Sequence, residues 1–304
     1  MRRERSLVRL SLALALAASA CGVRPSVSPS ATLGPTTDLR PSPSGLPATA
    51  SRATSTPVCP DPQLRIVDLA YPGHVSRGDI PLRVFLPPCF SDGGGPYPVV
   101  ILFHGKPFDQ THWDEVGLDE AAGPAMLAGD LPPAIMIMPL IPEPLFSKTD
   151  GGPDSYEAEA LEGLVPFIQA TWSVTVAPQG WTVAGISRGG IWALEIGMRH
   201  GANFQAAAAL SPSLAVNYPR RAYDPFALAA GEGLPDRIFL GAGETDWARA
   251  KTEELSSALT RFGREPELWI VRGGHEVGTW SALLGPFLLF LFTTWTHSAE
   301  AGTG

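Results

Sequence analysis

Ser187 sits in Gly185-Ile186-Ser187-Arg188-Gly189, a G-x-S-x-G; further along the chain come two neighbouring carboxylates, Glu244 and Asp246, and then His275. Residues of these types, in this order, suit nucleophilic catalysis. A serine hydroxyl attacks a carbonyl well only when it projects from a sharp turn toward a base, and an imidazole serves as that base when a carboxylate fixes its tautomer. Small residues on both sides of Ser187 let such a turn close. A helix starting just after the serine aims the positive end of its dipole at a developing oxyanion.

The flanking chain has the form this chemistry needs. Trp181 to Ala184 is an apolar, strand-like run, and Ile191, Leu194 and Met198 recur at helical spacing before Gly201 closes the helix. Strands are also predicted over 64–69, 80–86, 98–103, 134–138, 206–210, 237–242 and 267–271. The first two read as an antiparallel pair at a sheet edge, and 98–103 is continuously apolar, as a central parallel strand is. Helices are predicted over 155–172 and after Gly243-Glu244-Thr245-Asp246, the latter closed by Gly263. This alternation specifies an α/β class, with a mostly parallel central sheet and helices on both faces. The order Ser, then Asp or Glu, then His is that of the α/β-hydrolase triad, and each of these residues follows a strand.

The strand 98–103 runs into His104-Gly105, and glycine at a strand's carboxyl end permits close backbone approach. The N–H of Lys106 is therefore a candidate oxyanion donor, whereas Pro107 has none. The N–H of Arg188, next to the serine, is the second donor. His104 reads as structural. The loop 140–154 and the excursion 214–236 are longer than connections require, so both are expected to line a site. The apolar stretch 283–295 contains Pro286 and falls short of the roughly 20 residues of a spanning helix; it is predicted to pack on the sheet.

The chain has 304 residues, 44% hydrophobic, with a formal net charge of −8. An acidic balance argues against a nucleic-acid partner. Residues 1–20 have an Arg-rich start, an apolar stretch and small residues before Cys21, which reads as an export signal. The ending resembles a lipoprotein signal with Cys21 as the lipidated residue; simple cleavage before Cys21 would give a freely secreted chain. Residues 21–58, rich in Pro, Ser, Thr and Ala, are expected to be a disordered tether, with one catalytic domain over 59–300. Cys59 and Cys89 in an exported chain favour one disulfide. Neither has metal-ligand spacing, and no metal is expected.

The chain resembles the bacterial esterases grouped with enterochelin esterase and esterase D, which include feruloyl esterases and mycolyltransferases. The resemblance spans about residues 64–295. It is carried by Leu102-Phe103-His104-Gly105 with Trp113, by 135–139, by Ser155-Tyr156-Glu157 with Glu162, by 184–190, and by Gly274-His275 with Trp280. Lys106-Pro107 stands where small or glycine-rich residues are common. The resemblance implies a serine carboxylic ester hydrolase of α/β-hydrolase fold, without cofactor, acting on a small-molecule or polysaccharide-linked ester. It also implies a triad of Ser187, Asp246 and His275, since the family places its acid in a G-x-x-D that Gly243 to Asp246 fits; Glu244 is the alternative acid. Acyl transfer through the same acyl-enzyme, or a non-catalytic surface lipoprotein, are the competing expectations.

Overall fold

A computed structural model describes residues 63–301. The export signal, Cys21, the tether and Cys59 lie outside the described residues, and with them the expected Cys59–Cys89 pairing.

Eight strands form one sheet: β1 (Arg65–Pro72), β2 (Asp79–Leu86), β3 (Val99–Phe103), β4 (Ile135–Pro139), β5 (Trp181–Ile186), β6 (Ala206–Leu210), β7 (Arg237–Gly243) and β8 (Glu267–Val271). Their spatial order is β1-β2-β4-β3-β5-β6-β7-β8. β1 and β2 pair antiparallel at one edge, β2 meets β4 antiparallel, and every pairing from β4 to β8 is parallel. Every residue of β3, β4, β5 and β6 is buried, which is why these strands read as continuous apolar runs.

Successive side chains of a strand point to opposite faces, and β3 divides accordingly. Val99, Ile101 and Phe103 join the cluster that holds Tyr156, Ile168 and Trp192. Val100 and Leu102 join Trp113, Leu118, Leu283, Phe287 and Leu291. The first face carries α3 (Tyr156–Ala158), a π-helical stretch (Glu159–Leu164), α4 (Val165–Thr171), α5 (Arg188–Arg199), α6 (Pro225–Leu228) and α7 (Arg249–Arg261). The opposite face carries α1 (His112–Glu115), α2 (Leu118–Ala128) and α8 (Val277–Ala301). Ser155 caps α3 by accepting the Glu157 N–H at 3.1 Å, so the helix predicted from residue 155 begins at its cap.

Two elements differ from expectation. α2 was not foreseen, because Gly117, Gly123 and Pro124 interrupt the apolar pattern there; Leu118, Ala122 and Met126 nevertheless bury one face. The terminal helix is also longer than the stretch 283–295. Val277–Trp295 is long and apolar enough to cross a membrane on composition, but half of that window is buried, and Leu283, Phe287, Phe290 and Leu291 are fully buried in the sheet-facing cluster.

Candidate active site

The turn between β5 and α5 is forced by contacts only glycine allows. A Cβ on Gly185 would lie 2.2 Å from the Gly189 carbonyl oxygen, and a Cβ on Gly189 would lie 2.5 Å from the carbonyl oxygens of both Phe103 and His104. Ser187 itself stands at φ 53°, ψ −112°. A left-handed non-glycine residue costs on the order of 1–3 kcal/mol and persists where its surroundings fix it. Here the Ser187 N–H donates to Leu210 O at 2.9 Å, and the Ser187 carbonyl accepts the Ser213 N–H at 3.1 Å. β6 and the segment after it thus hold the serine in place.

His275 follows β8, where Gly273 at φ 123° turns the chain back over the sheet edge. Its Nε2 lies 2.8 Å from Ser187 Oγ, and its Nδ1 lies 2.9 Å from Asp246 Oδ1. The same Asp246 oxygen accepts the Ala248 N–H at 2.8 Å. Burial would raise the Asp246 carboxyl, but bonds from His275, Ser211 and the Ala248 N–H outweigh it and hold its pKa below the ordinary carboxylate value. Ser187 and Asp246 are buried. Glu244 is exposed, and among the described residues only its backbone is engaged: its N–H donates to Val271 O and its carbonyl accepts from Arg249 Nη1. The structure therefore brings Ser187, His275 and Asp246 into one hydrogen-bonded line and leaves the Glu244 carboxylate outside it.

Gly105 approaches this line so closely that a Cβ there would meet the Ser187 Cβ at 3.2 Å. The Gly105 peptide is held by two imidazoles. His104 Nδ1 donates to Gly105 O at 3.1 Å while its Nε2 accepts the Ile141 N–H at 2.9 Å. His112 Nδ1 accepts the Gly105 N–H at 3.1 Å. Burial, above all, lowers both imidazole pKa values, that of His112 to about 3, so both rings are neutral and their bonds assign the tautomers. The His112 ring stacks on Phe108 at 3.8 Å and meets the edge of Trp280 at 5.1 Å. Lys106, next in the chain, follows with a cis peptide to Pro107, and Lys106, Ser187, Arg188 and His275 line one cleft of about 350 Å³. Among the described residues, neither the Lys106 nor the Arg188 N–H has a hydrogen-bond acceptor. Two unengaged donors beside a serine hydroxyl form an arrangement suited to an oxyanion.

The contacts of several contributors were not read from the sequence. Trp247 lies against His275 with ring centroids 4.4 Å apart and the rings tilted by 33°, and it lines the cleft. Trp280 sets its edge against His275 at 5.3 Å and donates from Nε1 to Ser211 Oγ at 3.0 Å, tying α8 to the strand end beneath Asp246. His112 and Asn217 are further examples, because their roles arise only from contacts across the fold. The sequence did indicate that loop 140–154 and excursion 214–236 would line a site, and Ser147, Val216 and Asn217 do so.

The esterase family matches residues 74–290, more than two thirds of the chain. The chain belongs to the esterase family. Two curated relatives, Esterase Rv1288 and Esterase MT1326 of Mycobacterium tuberculosis, are each 30% identical over 138 residues, 43% of this chain and 28% of the relative. The alignment thus spans well under half the length of those relatives. Among solved structures, a ferulic acid esterase aligns with TM-score 0.67 at 20% identity, covering 77% of this esterase and 99% of that chain. The S-formylglutathione hydrolase FrmB of Staphylococcus aureus aligns with TM-score 0.64 at 17% identity, over 76% and 99%. The enterobactin esterase FES of Shigella flexneri gives TM-score 0.62 at 20% identity, over 75% and 59%. At these identities the structural likeness establishes the fold, an α/β-hydrolase.

Proposed function

We propose that this esterase is a serine carboxylic ester hydrolase that works through an acyl-enzyme on Ser187. The observation that carries the reading is the unbroken line from Asp246 Oδ1 through His275 to Ser187 Oγ, with contacts of 2.9 and 2.8 Å. His275 Nε2 takes the hydroxyl proton as Ser187 Oγ bonds to the ester carbonyl carbon, and Asp246 accepts the Nδ1–H bond and stabilises the imidazolium. The N–H groups of Lys106 and Arg188 receive the oxyanion, each such donor contributing about 3 kcal/mol of transition-state stabilisation. Collapse expels the alcohol, which takes its proton from Nε2. Water then attacks the acyl-enzyme with His275 again as base, and the acid leaves as Ser187 regains its proton.

Trp247 and Val216 give the cleft mouth an apolar flank, so acyl or aryl chains have a surface to bury against. The relevant substrate panel is short-chain acyl esters, hydroxycinnamoyl and acetyl esters of polysaccharide, and siderophore esters. Ser187→Ala tests the chemistry: p-nitrophenyl acetate hydrolysis should be abolished in a variant that unfolds at the wild-type temperature. More than a few per cent residual activity would remove Ser187 from the nucleophile's role.

We further propose that residues 1–20 direct export, that Cys21 carries a lipid and anchors the chain to a membrane, and that Cys59 pairs with Cys89. Metabolic fatty-acid labelling that Cys21→Ser abolishes would support the anchor, and absence of label on the wild type would favour a freely secreted form. Two alkylatable thiols in unreduced, denatured mature protein would contradict the disulfide.

A further inference from the structure

The residue after the serine in a G-x-S-x-G need supply only its backbone N–H. In this esterase it is an arginine whose side chain turns into the protein and is 6% exposed. Its guanidinium is shared among three neutral acceptors. Nε donates to Phe146 O at 2.9 Å, Nη2 donates to Lys148 O, and Nη1 donates to Asn217 Oδ1. The group also lies 5.9 Å from the centroid of the Trp192 ring, one turn along α5.

Phe146 and Lys148 belong to the loop after β4, and Asn217 to the segment after β6. These stretches have little regular structure of their own: a single turn, Leu145–Ser147, in the first, and only α6, beyond Asn217, in the second. Asn217 continues the connection. Its Nδ2 donates to Ser213 O and Ser213 Oγ, both at 2.7 Å, and the Ser213 N–H bonds to the Ser187 carbonyl at 3.1 Å. A closed circuit therefore runs from Ser187 to Arg188, across to Asn217, back to Ser213 and on to Ser187. Ser147, Val216 and Asn217 from the two segments line the cleft. On the far side of the first wall lies a polar cavity of about 460 Å³, which shares Ser147 with the cleft.

We propose that the Arg188 side chain is a positioning residue that fixes both walls of the ester-binding cleft and thereby sets which acyl groups the site accepts. The proposal rests on the acyl-enzyme reading of Ser187. A planar fork of N–H donors holds three divergent acceptors at once, which a lysine ammonium on a flexible stem does not. Without the fork, the carbonyls of Phe146 and Lys148 lose a charged donor, and the loop is left with its outer ties, Lys106 to Ser147 Oγ and Arg220 to Asp150. The backbone N–H that faces the oxyanion is unchanged by substitution, so wall and oxyanion site separate experimentally.

The test compares Arg188→Met, Arg188→Lys and Asn217→Ala with wild type. Arg188→Met keeps the stem over Trp192, and Asn217→Ala breaks one arm while leaving the charge. Kinetics are measured on p-nitrophenyl acetate and p-nitrophenyl octanoate, with fluorophosphonate labelling of every protein. Loss of positioning should raise KM for the octanoate about tenfold in Arg188→Met and Asn217→Ala and raise KM for the acetate far less, so that kcat/KM for the octanoate falls about tenfold relative to the acetate. Arg188→Lys should recover only a minor part of that change. Full recovery by lysine, equal loss of kcat on both esters at constant KM, or unchanged constants in the folded variants would each overturn the proposal. Failure of wild-type Ser187 to label would instead overturn the acyl-enzyme reading on which it rests.

Discussion

Replacing Glu195 by glutamine should make this esterase progressively more stable than wild type as pH rises. Glu195 lies on α5, fully buried, and neither carboxylate oxygen has a side-chain partner among the described residues. Burial first, and then the charge of Glu157, raise its pKa to about 9; Arg199 opposes the shift. The charge of Glu157 itself is taken up by Arg199, His200 and the Gly152 N–H. An acid whose folded pKa lies above its unfolded value near 4.3 binds its proton more tightly when folded, so its stabilising contribution is complete below the unfolded value and is lost as pH climbs to the folded one. One such group gives a slope of about −1.4 kcal/mol per pH unit across that window, or roughly 4 kcal/mol between pH 5 and 8. Glutamine does not titrate. Urea unfolding of both proteins from pH 5 to 8 reads the effect, because titrating groups that do not interact with Glu195 cancel in the difference. A gap that widens with pH is the expected result; parallel curves would show that Glu195 ionises normally in the fold.

Three further outcomes follow from the site. Asp246→Asn should lower kcat on the order of 10⁴-fold through the wrong imidazole tautomer, while Glu244→Gln changes it little, as steady-state rates on p-nitrophenyl acetate would show. Gly189→Ala sets a methyl 2.5 Å from two carbonyl oxygens and should cost at least 1–3 kcal/mol in chemical denaturation, with loss of activity. His112→Asn, whose amide oxygen can accept the Gly105 N–H, should retain more kcat than His112→Leu. Because the His112 pKa is about 3, neither variant should shift a pH–rate inflection between pH 5 and 8.

The strands were legible because most are short apolar runs and each has glycine or proline at its end or within two residues of it. All eight lie within a few residues of where the pattern put them. The G-x-S-x-G and the two candidate acids were legible as types, and the long loops advertised themselves by their length. What stayed hidden is what tertiary contact creates. His112 and Trp247 acquire roles by packing against groups far away in sequence, and the Arg188 side chain gains its partners only when two loops fold over α5. α2 was hidden for a local reason, since burial of Leu118, Ala122 and Met126 outweighs the low helix propensity of Gly123 and Pro124.

The central claim is a covalent intermediate on one hydroxyl, and rapid-quench mass spectrometry reads it directly. With p-nitrophenyl acetate in excess, the account predicts a burst of p-nitrophenol equivalent to one site and an acetyl group on the peptide that contains Ser187. The residue that carries the adduct decides. Acetyl on Ser187 supports the account; acetyl on a different residue, or turnover undiminished in Ser187→Ala, contradicts it.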